Sequence, residues 1–173
     1  TTNRLLMGKT EKDFIELLNQ NQKIIHKVCN LYMNWQEDKE DLFQEITLQA
    51  WKAFNQFRGD AKFSTWLYRV ALNTAITFFR KDKKNAFIAT VSDIPELAIH
   101  LERDSIEDKT KAMYQAIAEL SKIDKAIVML YLEDYSYAEI SEIIGITANN
   151  IAVKMNRIKV KLREATLKNF ERI

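Results

Sequence analysis

The sequence predicts an all-α protein of two small helical domains joined by an acidic linker, and three observations carry that prediction. Turn-forming residues are scarce, with 3 Gly and 1 Pro in 173 residues, so little of the chain suits tight turns or irregular structure. Apolar residues recur at helical spacing on both sides of residues 85–109. Within 85–109 that periodicity fades, Pro95 interrupts it, and acids gather as Asp93, Glu96, Glu102, Asp104, Glu107 and Asp108, the composition of a tether. The domains are expected at residues 10–84 and 110–173.

Taken in order, a first helix is expected from about Thr10 to Trp35, its apolar side marked by Phe14, Leu17, Leu18, Ile24, Ile25 and Val28. A second runs from about Glu37 to Phe57 around Leu42, Phe43, Ile46, Ala50, Trp51 and Phe54. Arg58-Gly59-Asp60 reads as a turn. A third begins near Phe63 and continues through Trp66, Leu67, Val70, Ala71 and Phe78 towards Lys84. In the second domain Ser136 and Glu139 have capping-box spacing. Gly145 can take the left-handed conformation that ends a helix, and Thr147 can cap the next one. That pattern is a helix-turn-helix.

Its second helix carries the positive charge. Between Glu142 and Glu164 lie 21 residues with no acid and five bases, Lys154, Arg157, Lys159, Lys161 and Arg163. At about 100° per residue, Ile151, Met155, Ile158 and Leu162 form one narrow apolar stripe. Opposite lie Asn149, Val153, Asn156 and Val160, flanked by Lys154, Arg157 and Lys161 on one side and by Lys159 and Arg163 on the other. Amides and a valine methyl suit base edges and thymine methyls, and flanking cations suit the phosphate walls of a major groove.

The first domain divides its charge differently. Its second helix opens with Glu37, Asp38, Glu40, Asp41 and Glu45 against Lys39. Such acids can serve the helix dipole, metal or acid/base chemistry, or a docking surface for a basic protein. Only His26 and His100 are present and neither is near in sequence, so no metal, cofactor or catalytic set is expected. The third helix ends in basic residues, Arg69, Arg80, Lys81, Lys83 and Lys84. Aromatics interleave with them, a mixture that suits single-stranded nucleic acid. One cysteine, Cys29, excludes an internal disulfide framework and fits a reducing cytoplasm. No apolar run has the length of a membrane span.

Two stretches resemble a known family. Asp41-Leu-Phe-Gln-Glu45 with Ala50-Trp51, then Phe57-Arg-Gly-Asp-Ala-Lys-Phe-Ser-Thr-Trp-Leu-Tyr-Arg-Val-Ala-Leu-Asn73, resembles region 2 of bacterial extracytoplasmic-function (ECF) sigma factors. Tyr131-Leu-Glu-Asp-Tyr-Ser-Tyr-Ala-Glu-Ile-Ser-Glu-Ile-Ile-Gly145, with its continuation to Leu162, resembles their region 4. The resemblance implies a non-enzymatic initiation factor that carries core RNA polymerase to promoters and helps to melt them. Asp41, Leu42, Gln44 and Glu45 would bind the clamp helices of the polymerase β′ subunit. Arg58, Lys62, Phe63, Ser64, Thr65, Trp66, Arg69, Asn73 and Arg80 would meet the −10 element, with an extruded base entering a pocket near Gly59 to Thr65 and Asn73. Thr147, Asn149, Asn150, Val153, Lys154, Asn156, Arg157 and Lys161 would meet the −35 element. The β flap is a further expected contact, the linker would run through polymerase towards the RNA exit path, and an anti-sigma factor is a partner the resemblance leaves open. No small-molecule substrate is implied.

The recognition helix departs from the common pattern. Many members carry a Gly-Thr-Val-Lys-Ser-Arg type of sequence where this chain has Asn149-Asn-Ile-Ala-Val-Lys154, so Ala152 and Val153 replace polar positions. Two other classes compete. A ligand-sensing repressor would pair the helix-turn-helix with a dimerising bundle but leaves the Phe57–Asn73 block unexplained. A carboxylate nuclease would need a divalent metal and its ligand cluster.

Overall fold

The structure, a computed structural model, describes the backbone of residues 10–85 and 105–171 and the side chains of residues 10–78 and 112–168. Among the described residues the chain is all α, with no strand. Its helices are α1 Glu11–Tyr32, α2 Gln36–Phe54, α3 Phe63–Asn85, α4 Ser105–Ala118, α5 Lys122–Leu132, α6 Tyr137–Ile144 and α7 Ala148–Glu171. They fall into two compact units, α1–α3 and α4–α7. Most of the acidic stretch, residues 86–104, lies outside the described residues. Its end is helical, because α4 starts at Ser105 and carries Glu107 and Asp108.

In the first unit α1 opens on a reciprocal cap. Thr10 Oγ1 accepts from the Asp13 amide at 3.2 Å while the Asp13 carboxylate accepts from the Thr10 amide at 3.0 Å, two otherwise unpaired donors satisfied together. The helix stops at Tyr32, where Met33 turns extended. α2 stops at Phe54 rather than Phe57, because the amides of Gln56 and Phe57 bond back to Ala53 and Phe54 in tighter turns. The three helices pack pairwise around Ile25, Val28, Leu42, Ile46, Leu67, Tyr68 and Leu72, each at most 1% exposed. Ala50, Ala71 and Ala75 are fully buried as well, and side chains this small let helix axes approach closely. Cys29 sits in this core, where burial pushes its thiol up to about 11; a thiol so held is unreactive at neutral pH.

In the second unit α7 packs on α4, α5 and α6. Ile151, Met155 and Ile158 are buried against a core that includes Ala112, Ala116, Ile127, Leu130, Ile140 and Ile143. Leu162, the fourth member of the expected stripe, is half-buried. The turn between α5 and α6 is built on Asp134, the one non-glycine at positive φ among the described residues, with φ 63°. The Tyr135 amide bonds to Leu130 O at 3.1 Å and the Asp134 amide to Tyr131 O at 3.2 Å, the two reciprocal bonds of a Schellman motif. Glycine usually occupies that left-handed position.

Gly145 ends α6 at φ 85° with open space where a Cβ would stand. Substituting Gly145→Ala is therefore expected to lower stability by about 1 kcal/mol through backbone conformation alone. Asp134→Gly should move stability the other way by up to ~1 kcal/mol. Chemical-denaturation midpoints of the two variants check both signs.

Candidate nucleic-acid interface

The helix-turn-helix forms as its capping residues dictate. Ser136 Oγ accepts from the Glu139 amide at 3.3 Å and Glu139 Oε2 accepts from the Ser136 amide at 2.8 Å, closing the box at the start of α6. After Gly145, Thr147 Oγ1 accepts from the Asn150 amide at 3.3 Å and starts α7. With Ile151, Met155 and Ile158 turned inward, Thr147, Asn149, Asn150, Val153, Asn156, Arg157 and Lys161 are exposed. Val153 keeps 42% of its surface. From Asn149 to Asn156 the outer face extends about 10 Å along the axis.

Two cations of α7 are turned away from that face. Lys154 and Lys159 lie about 60° and 80° to either side of Ile151, close to the buried stripe. Lys154 Nζ donates to Asp124 Oδ1 on α5 at 3.2 Å, and Lys159 Nζ stands 5.0 Å from the ring centroid of Tyr131, within cation–π range. Lys154, expected as a flank of the groove, thus shares its charge with a carboxylate of its own domain. Arg157 and Lys161 pair with no acid among the described residues.

In the first unit, helical geometry lines up Lys62, Trp66, Arg69 and Asn73 at i, i+4, i+7 and i+11, within about 60° of one another. Lys62, Arg69 and Asn73 are exposed and Trp66 is half-buried. Arg58 is exposed in the turn around Gly59, which has φ 80°, while Ser64 and Thr65 are half-buried in the first turn of α3. Arg80 continues α3, but its side chain lies outside the described residues. Asn73 lines a groove of about 270 Å³ with Thr74, Thr77 and Phe78 of α3 and Glu45 and Gln49 of α2. The facing wall of that groove comes from α2, and residues 59–65, beside which the extruded base was expected, do not line it.

Two residues read as surface contacts are core. Phe63 is 9% exposed, its ring 5.7 Å from Phe57 and 5.2 Å from Trp66. Phe54 and Phe57 complete the cluster, with 6.4 Å between their centroids. Phe54, Phe57 and Phe63 are buried and hold the turn between α2 and α3, whereas Trp66 at the margin of the cluster keeps part of its surface exposed. Leu42 is fully buried on the stripe it forms with Ile46 and Ala50, while Asp41 and Glu45 lie about 100° and 60° from it on one flank of the helix. Asp41 and Gln44 are exposed, and Glu45 is half-buried, its Oε1 accepting from Gln49 Nε2 at 2.8 Å. The same face holds Leu48, 44% exposed, which the sequence reading passed over; its position off the buried stripe of Leu42, Ile46 and Ala50 was the available signal.

No group of three or more metal-ligating side chains occurs among the described residues, nor any helix long and apolar enough to cross a membrane.

The sigma-70 region 2 family model matches residues 17–85, and the sigma-70 region 4 model matches residues 110–162. The chain belongs to the sigma-70 family of RNA polymerase sigma factors, in its ECF group. It is 27% identical over 163 residues to the ECF RNA polymerase sigma factor SigW of Bacillus subtilis, covering 87% of each chain. It is 29% identical over 150 residues to the ECF RNA polymerase sigma-E factor of Escherichia coli, covering 86% of this chain and 68% of that one. In fold it is similar to the sigma factor RpoE of Bartonella quintana, solved in complex with the anti-sigma factor NepR, with a TM-score of 0.63 and 22% identity over 89% of this chain and 96% of that one. CnrH, solved in complex with the cytosolic domain of CnrY, is similar at a TM-score of 0.62 and 17% identity, over 90% and 88%. This sigma factor is a promoter-specific transcription initiation factor that works with core RNA polymerase and promoter DNA.

The burial pattern separates support from surface. Phe63→Ala is expected to cost about 3 kcal/mol or more of stability, and Arg69→Ala to stay within ~0.5 kcal/mol. Thermal and denaturant unfolding of the two variants distinguishes the roles.

Proposed function

We propose that α7 reads the −35 element in the duplex major groove. The carrying observation is the outer face of this helix: Asn149, Val153 and Asn156 exposed in line, Arg157 and Lys161 beside them, and no acid between Glu142 and Glu164. Two amides and an apolar tip supply hydrogen bonds to base edges and a contact for a thymine methyl. The flanking cations neutralise phosphates without regard to sequence. Asn150 and the N-terminus of α7 add donors for the backbone.

The first unit has two tasks in this reading. Its α2 face, with Asp41, Gln44, Glu45 and Leu48, docks the β′ clamp helices: acids around a single exposed leucine suit a basic, partly apolar partner. Its α3 stripe, with Lys62, Trp66, Arg69 and Asn73 beside Arg58 in the turn, takes the −10 strand as it is melted. The cations follow phosphates and Trp66 offers a stacking edge. The Asn73 side-chain amide, which has no hydrogen-bond partner among the described residues and lines the groove it shares with Glu45, is the base-reading group. The domain limits 10–84 and 110–173, the acidic tether towards the RNA exit path, and the β flap as a contact of the second unit belong to the same reading. So do a non-catalytic role and a cytoplasmic site of action. The sigma factor RpoE of similar fold, solved with the anti-sigma factor NepR, extends it to an anti-sigma partner.

The full chain should co-elute with core RNA polymerase on a sizing column. Asp41→Ala combined with Gln44→Ala should weaken that association about tenfold or more; unaltered assembly would remove the docking role from α2. In the reconstituted holoenzyme, Arg157→Met should weaken binding to −35 duplex and lower the slope of log affinity against log salt by about 0.9. A slope equal to the wild type would remove α7 from the DNA.

A further inference from the structure

Asp124 is the buried charged residue among the described residues of the second unit, 9% exposed in an apolar helix. Its amide donates to Ser121 Oγ at 3.2 Å, which sets it in the first turn of α5, where a carboxylate is favoured by the helix dipole. From there Oδ1 accepts from Lys154 Nζ at 3.2 Å across 30 residues of sequence. Side-chain exposure is 13% for Asp124 and 39% for Lys154, so the pair lies at the edge of the core. Hydrogen-bonded charges in such a place are far less screened than surface pairs. The bond joins α5 to the recognition helix at one turn from Asn150 and next to Val153. It acts on the rotation of α7 about its own axis, the coordinate that the buried stripe leaves least constrained at its edge.

We propose that Asp124 is a positioning residue of the −35 reader: through Lys154 it fixes the rotation at which α7 presents Asn149, Val153 and Asn156, and it withdraws Lys154 from the charges that neutralise phosphate. The proposal rests on α7 being the −35 reader. It assigns the cations of α7 to two tasks, with Lys154 as an internal tie and Arg157 and Lys161 as DNA contacts. Specificity depends on Asp124 although Asp124 touches no base. A carboxylate this close to a phosphate-facing helix also disfavours any rotation that would carry Lys154 outward and lay Asp124 bare.

The test uses the full chain reconstituted with core RNA polymerase, on a duplex promoter fragment selected by the wild-type holoenzyme and on a fragment with its −35 element scrambled. Circular dichroism establishes that each variant is folded. Lys154→Met is expected to leave the salt slope unchanged, whereas Arg157→Met lowers it by about 0.9. Asp124→Asn, which keeps the shape and loses the charge, is expected to reduce the ratio of selected to scrambled affinity at least fivefold while affinity for the scrambled fragment rises; Asp124→Glu retains the ratio. A fall in slope for Lys154→Met equal to that of Arg157→Met overturns the proposal. An unchanged ratio in Asp124→Asn overturns it by a second route that does not need the Lys154 variant. No change in slope for Arg157→Met marks the failure of the −35 reading itself.

Discussion

Burial of Ile151, Met155 and Ile158 against α4, α5 and α6 fixes which side of α7 is left for a partner, and most of what the second unit can do follows from that rotation. Three apolar side chains at i, i+4 and i+7 remove one narrow stripe from water, at roughly 1.5–3 kcal/mol each. A turn of one residue, about 100°, would expose that stripe and bury Asn149 or Asn156 without partners, at a cost of a few kcal/mol per amide. The outer face is therefore specified by the inner one. A stripe of three side chains defines a direction only to within its own width, however, and the groups at its margin, Lys154 and Lys159, refine it.

The first unit meets the same requirement with a broader core. Its three helices bury residues from every face they share, and the α2–α3 turn is held by Phe54, Phe57, Phe63 and Trp66, with neighbouring ring centroids 5.2–6.4 Å apart. Fixing this turn matters because Gly59, at φ 80°, lets the chain reverse there. A loop left to itself would lose the register between Arg58, Lys62 and the stripe on α3. Rigid aromatic packing lets a short, polar, exposed segment keep a fixed place next to a helix face.

Much of this was legible in the residues. The all-α class, the helix-turn-helix and both of its caps follow from local rules: Ser136 with Glu139, Gly145, and Thr147 act within four residues of themselves, and such signals do not depend on tertiary structure. Harder to read were features set by contacts distant in sequence. Phe63 and Leu42 sit inside motifs rich in exposed residues, and only packing separates them from Lys62 and Asp41. The cap at Thr10 was locally readable but carries aspartate where glutamate is usual. Asp134 in a left-handed position violates the glycine preference and so gave no warning. The bond from Lys154 to Asp124 could not be inferred from the basic run, because a lysine near the border of an apolar stripe can turn to solvent or inward, and 30 residues separate it from its partner.

The internal engagement of Lys154 and Lys159 changes what the basic run means. Counting Lys154, Arg157, Lys159, Lys161 and Arg163 as phosphate ligands gives a salt slope near −4.5, and counting Arg157, Lys161 and Arg163 gives about −2.7. On the proposed −35 reading, the smaller number shifts the burden of discrimination towards Asn149, Val153 and Asn156, where Ala152 and Val153 already stand in place of polar residues. A reader with fewer cations loses less affinity as salt rises and gains less from nonspecific DNA, so a larger fraction of its binding energy depends on base edges and methyl groups. If α7 is the −35 reader proposed above, polymerase and the −10 contacts supply further affinity within a holoenzyme, and a reader of modest charge works mainly by choosing between sequences. On that reading the orientation of α7 counts for more than its charge.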